Sequence, residues 1–296
     1  VRQADKKARP VLEGLQIAID FATLPVRPDV FTIPEFAAFG TTLGPFALRW
    51  YSLSYIAAIT IGWWLLLRMI YKPGAPMTNE QVDSFITWAT FGVILGGRLG
   101  YVLFYNREQY LADPMSILRL WDGGMSFHGG AFGVIVGCIG FGIANGVSGL
   151  RVLDYVATVS PLGLGLGRLA NFVNGELWGR PTGTDWGIIF PGAGPEPRYP
   201  SQLFEAGLEG AVLLAILTFL FWRTDARLRP GLLAGVFGFG YGLSRFVVEF
   251  YREPDRQLGF LSTGLTMGQT LTLPMIAVGL LLIAIALMRQ PVRAPA

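Results

Sequence analysis

The sequence predicts an all-α integral membrane protein of about seven transmembrane helices with a polar site at the outer face. Three observations predict it. Of 296 residues, 52% are apolar and only 15% charged, where a soluble domain carries about a quarter charged residues. The mean hydropathy is +0.48. Seven segments hold the roughly 20 mainly apolar residues that a membrane helix requires.

The segments follow in chain order. The first, 50–70, opens on Tyr51, and the second, 85–105, carries Arg98 and Tyr101 in its second half. The third, 126–146, opens near His128. Pro161 and several glycines interrupt the fourth, 152–172, which closes on Arg168 and Asn171. Gln202 and Glu205 open the fifth, 202–222. The sixth, 231–251, is charged by Arg245 and Glu249, and the seventh, 269–288, is uniformly apolar. Glycine and proline are admitted because neighbouring helices satisfy the backbone groups they free. The connections are short except 1–49 and 173–201, and no second domain or internal repeat is visible. The expected organisation is an N-terminal tail or periplasmic segment (1–48), a seven-helix membrane domain (49–290) and a cytoplasmic tail (291–296).

The formal charge of +3 and the pI near 9.1 do not imply nucleic acid, because the 23 Lys and Arg are scattered between apolar runs. Cys138 is the only cysteine and lies in an apolar run, so no intramolecular disulfide or cysteine zinc site is possible; it reads as inert packing. A single histidine, His128, excludes a multi-histidine metal centre. Arg2, Lys6, Lys7 and Arg9 read as a solvated tail, with no cleavable signal peptide apparent. With alternating spans, eight Lys and Arg from Arg68 to Arg293 meet one face and seven from Arg49 to Arg256 meet the other. The first face is assigned to the cytoplasm, by a narrow margin.

Alternation also brings the polar groups of six spans to the same outer half. Intramembrane ionisable groups are costly, and they face a bundle interior where they pair with one another or with a ligand. Arg98 can pair with Glu205 or a backbone carbonyl. Arg168 and Arg245 can form ion pairs with Glu176 or Glu249, or snorkel. Together with Asn171 and Tyr241 they also resemble a device for holding a phosphate, since guanidinium offers a planar fork of donors. His128 can cap a helix, or act chemically in the room that Gly129 and Gly130 leave beside it. Tyr51 and Tyr101 can belong to an interfacial aromatic belt. The run 163–167 reads as close helix packing rather than a nucleotide loop.

Five stretches in one order carry a resemblance: GGRLGYVLFYN (96–106), MSFHGG (125–130), GRLANFVNGELWGRPT (167–182), YPSQLFEA (199–206) and GLSRFVVEFYREPD (242–255). Together they resemble the bacterial phosphatidylglycerol:prolipoprotein diacylglyceryl transferases, from about Trp50 to about Met288. The resemblance implies transfer of the diacylglyceryl group of phosphatidylglycerol to the lipobox cysteine thiol of a prolipoprotein signal peptide. A thioether forms and glycerol phosphate is released, with no metal or soluble cofactor. It implies an inner-membrane enzyme with its site toward the periplasmic leaflet. It also implies His128, Arg168 and Arg245 as catalytic residues. Tyr51, Asn171, Glu176, Gly179, Tyr241 and Glu249 would serve substrate binding, with Asn171 and Tyr241 on the headgroup, Glu176 and Glu249 orienting the arginines, and Gly179 permitting a close turn; Arg98, where it is not structural, is assigned to substrate binding beside them. The competing readings are a lipid transporter or flippase, which also needs intramembrane arginines, and an intramembrane serine protease using Ser244. Residues 1–48 carry no usable motif.

Overall fold

The computed structural model describes residues 18–38, 41–104, 107–120, 123–253 and 261–292. Arg2, Lys6, Lys7, Arg9, Arg256 and Arg293, used above for tail and orientation, lie outside the described residues. Among the described residues, seven apolar helices form the body: α1 (Trp50–Met69), α2 (Asn79–Phe104), α3 (Phe127–Asn145), α4 (Gly149–Val173), α5 (Ser201–Arg223), α6 (Leu232–Val248) and α7 (Met267–Met288). Six are long and apolar enough to cross a membrane, and the remaining apolar helix, α6, has 17 residues. Their outward faces are greasy, with Ile143 79% exposed, as lipid-facing surfaces are. The all-α membrane reading holds. Two helix ends move: α2 begins earlier than expected because polar first-turn residues hide a start, and α6 stops at Val248, so Glu249 caps the helix.

Small residues decide how closely the helices approach. A Cβ added at Gly100 would lie 2.8 Å from Gly129 Cα, and one at Gly96 would lie 2.8 Å from Gly133 Cα, so α2 and α3 meet backbone to backbone. Within the glycine-rich run of α4, Gly165 faces Gly210 of α5 at the same close range, whereas Gly167 faces open space. Around Ala206–Val212, α5 widens into a π-helical turn, a distortion frequent at functional sites.

The two ends of the bundle are filled differently. Met69, Phe85, Cys138, Phe141, Tyr155, Leu217, Phe221 and Leu233 form a buried apolar core at one end, which bears out packing as the role of Cys138. Asp154 sits at this end, its two oxygens accepting from Gly231 N at 2.7 Å and Ala234 N at 2.8 Å, all buried. A carboxylate from one helix thus caps the start of α6, the helix that carries Tyr241 and Arg245 to the opposite end. Asp154→Ala would strand two buried N–H groups at about 1–3 kcal/mol each. The expected result is a lower melting temperature in detergent, with Asp154→Asn losing less.

The opposite end is capped by chain outside the helices. Residues 18–49 contain β1 (Ala18–Asp20), β2 (Asp29–Ile33), β3 (Phe36–Ala38), β4 (Thr41–Leu43) and β5 (Phe46–Arg49). Strands β2 and β5 pair antiparallel around the β3–β4 pair, forming a nested hairpin. In the α4–α5 connection, β6 (Gly187–Ile189) pairs in parallel with β1. Phe21, Ile188 and Phe190 make a second small core, against which Phe172 and Trp178 pack. This cap fixes the α4–α5 connection over the polar end of the bundle.

Candidate active site

Three arginines and three carboxylates meet between α4, α5 and α6. Glu205 is fully buried; its Oε1 accepts from Arg245 in a close contact and from Arg252 Nη1 at 2.8 Å, and its Oε2 forms an ion pair with Arg168 Nε at 3.2 Å. Glu249 pairs with Arg245 at 3.0 Å and Arg252 at 3.4 Å, and accepts from Thr266 Oγ1 at 3.0 Å. Glu209, also fully buried, lies 3.9 Å from Arg168. Charges this deep persist only when paired, and here each guanidinium is held by at least one carboxylate. A guanidinium carries five N–H donors, and these contacts orient the arginine forks.

The expected ion-pair partners are therefore corrected in part. Arg245 does meet Glu249, but Arg168 meets Glu205 and Glu209. Glu176 instead accepts from Asn171 Nδ2 at 2.9 Å and Asn174 Nδ2 at 3.1 Å. It orients two amides at the end of α4, where Asn171 is buried. Gly179 is not a turn residue. A Cβ there would lie 2.6 Å from Tyr199 O and 2.8 Å from Tyr199 Cβ, and its N–H donates to Tyr199 O at 2.9 Å. Its need is close approach of three backbone segments, because Gly179 also bridges to Arg252.

Tyr241 is buried on α6, stacked on Phe237, within electrostatic range of Arg245, Arg168 and Glu205. Tyr51, in the first turn of α1, has its hydroxyl 3.3 Å from that of Tyr55 and lies in range of Arg168 and Glu176. His128 occupies the first turn of α3, exposed and within range of Arg245. It is not the cap: Ser126 is, accepting from Gly129 N at 3.2 Å. Nor does Gly129 give the ring room, since that glycine is filled by the approach of α2.

Arg98 takes the structural alternative, pairing with backbone carbonyls and not with Glu205 or a substrate. Its Nε donates to Ile117 O at 2.8 Å, Nη1 to Gly123 O and to Gly124 O at 3.0 Å, and Nη2 to Ser116 O at 2.6 Å and Arg119 O at 3.1 Å. Its five donors are matched by five backbone carbonyls, so none remains for a substrate. The guanidinium also lies over the Tyr110 ring at 5.0 Å. Arg98 clamps the loop that leads into Ser126 and His128. Arg98→Ala should remove about 3 kcal/mol or more of charge-assisted bonding. Faster limited proteolysis within 113–124, with Arg98→Lys failing to restore protection, is the expected result.

Arg252 and Glu209 are site residues that motif reading passed over. A signal was present: Glu205 and Glu209 are four residues apart, and Arg245, Glu249 and Arg252 follow at intervals of four and three, spacings that stack side chains on one helical face.

A bundle of apolar helices enclosing an arginine–carboxylate centre at one end defines a multi-pass membrane protein with a buried cluster of paired charges. The chain belongs to the prolipoprotein diacylglyceryl transferase family, whose model matches residues 38–285. It is therefore a membrane-embedded transferase. A phosphatidylglycerol--prolipoprotein diacylglyceryl transferase of Zymomonas mobilis is 51% identical over 279 residues, 94% of this chain and 97% of the relative. Proteins of the same name from Paramagnetospirillum magneticum and Rhodospirillum rubrum are 52% and 51% identical, each over 86% of this chain and over 96% and 93% of their own lengths. The match extends N-terminal of Trp50 into the hairpin.

Proposed function

We propose that this chain transfers the diacylglyceryl group of phosphatidylglycerol to the lipobox cysteine of prolipoproteins, at the outer leaflet of the bacterial cytoplasmic membrane. The observation that carries the reading is the pairing of Arg168 and Arg245 through one buried carboxylate, Glu205. Two guanidinium forks locked side by side suit the oxygens of a lipid phosphate. Asn171 and Tyr241 add hydrogen bonds to the headgroup, and the apolar helices below accept its acyl chains.

In the reaction the cysteine sulfur attacks the glyceryl carbon that bears the phosphate ester. The carbon–sulfur bond forms as the carbon–oxygen bond breaks, and that bonding pair leaves on glycerol phosphate. A free thiol has a pKa of about 8.5, so its proton must be taken up; His128 receives it. Arg168 and Arg245 stabilise the charge that grows on the departing phosphate. Glu205, Glu249 and Glu209 hold those two arginines in place, and Arg252 shares Glu205 and Glu249 with them. The transporter and Ser244 protease readings gain no support from the relatives.

The test is an assay of purified protein with phosphatidylglycerol vesicles and a lipobox peptide. A peptide mass gain of one diacylglyceryl unit is expected, with release of glycerol phosphate. Peptide cleavage, or lipid movement without a covalent product, would overturn the assignment.

A further inference from the structure

Among the described residues, Leu177 is the one non-glycine residue with a positive φ, 57°. That conformation crowds a side chain against its own backbone, whereas glycine adopts it freely, as Gly175 does two positions earlier at 66°. The surroundings hold Leu177 there. Gln202 Nε2 donates to Glu176 O at 2.7 Å, and Ser201 Oγ donates to Leu177 O at 3.2 Å, both from fully buried side chains at the start of α5. Glu176 N is tied to Asn171 O at 3.1 Å and Gly179 N to Tyr199 O at 2.9 Å, so the turn is pinned at both ends.

The fold makes little use of the side chain that creates this strain. Leu177 is 47% exposed, while its neighbour Trp178 stacks on Phe190 in the small core. A residue held in a strained conformation by buried partners, with its own side chain outside the core, points to function. Its position narrows the function. Leu177 follows Glu176, whose carboxylate gathers Asn171 and Asn174, and lies beyond the end of α4 on the outward side of Arg168. Acyl chains of a lipid held at Arg168 run back into the bilayer, away from Leu177. An acceptor peptide reaching Arg168 from the outer surface would approach from the side on which Leu177 is exposed.

We infer that Leu177 is a specificity-determining residue for the acceptor: its side chain receives an apolar side chain of the peptide next to the reacting cysteine. The inference rests on the transferase reading. Leu177→Gly separates it from a structural role, because glycine relieves the strain and deletes only the side chain. The expected result is an unchanged or higher melting temperature, with peptide KM raised about tenfold from the lost apolar burial and KM for phosphatidylglycerol unchanged. Leu177→Met, which keeps apolar bulk, should restore most of the peptide affinity. Serine substitution of the peptide residues preceding the cysteine should show non-additive coupling to Leu177→Gly at one position. A wild-type peptide KM in Leu177→Gly, equal losses toward both substrates, or a lower melting temperature would each overturn the inference while the transferase reading stands. Failure of the unaltered protein to lipidate the peptide would remove both.

Discussion

Arg168→Ala and Arg245→Ala are each expected to slow diacylglyceryl transfer by about 10²–10³-fold or more, the range seen when a preorganised donor to a developing anion is removed. The contact strengthens as the phosphate departs, so the loss falls on the rate of the chemical step more than on lipid binding. The two variants should differ in stability. Without Arg245, Glu205 keeps Arg252 and Arg168, and Glu249 keeps Arg252. Without Arg168, Glu209 loses its ion pair while remaining fully buried, and stranding a buried charge costs about 3–5 kcal/mol. Glu209→Gln combined with Arg168→Ala should therefore recover melting temperature without recovering rate. Lysine at either position should rescue poorly, because an ammonium cannot reproduce the bidentate fork. Single-turnover rates and melting curves in the same detergent separate the two effects. Turnover near the unaltered level in either alanine variant would remove that arginine from the mechanism.

His128→Gln has the next largest expected effect. With His128 as the proton acceptor, the variant should lose about 10²-fold or more at neutral pH. It should recover partly above about pH 8.5, where the substrate thiol ionises unaided. His128 sits within range of Arg245, and nearby positive charge by itself favours a thiolate. If the arginines alone activate the thiol and His128 only positions the headgroup, the profiles of variant and unaltered protein will run parallel. A pH series with chemistry shown to be rate-limiting distinguishes these outcomes, and parallel profiles would defeat the general-base role without touching the transferase assignment.

The parts of the site that were legible are those written locally. Arg168 and Asn171 lie within one helical turn, and the spacing of Arg245 and Glu249 already implies an i, i+4 pair, which the structure contains at 3.0 Å. The parts that were not legible depend on chain far away. For Arg98 a backbone carbonyl partner was one of two legible alternatives, but which carbonyls was not, because the loop that supplies them has no sequence signature for receiving a guanidinium. Arg252 looked like an ordinary positive residue past a helix end until α5 brought Glu205 to it. The hairpin and strands of residues 18–49 were hidden because short exposed strands produce little periodicity.

The sequence by itself determined that this chain lives in a membrane, how many apolar helices it has, which end of the bundle carries the charge and which family it joins. Hydrophobic run length and short motifs record all of these, since burial in lipid is set residue by residue along a helix. Only the tertiary structure decided which charge meets which. Span depth is a one-dimensional quantity, but the partner of a side chain depends on the rotation of each helix about its axis and on how closely neighbours approach. Here Gly96, Gly100, Gly129, Gly165 and Gly210 set that approach. By that packing Glu205 became the shared partner of three arginines, Arg98 became a clamp for the loop before His128, and Leu177 was held in a conformation no local rule would choose.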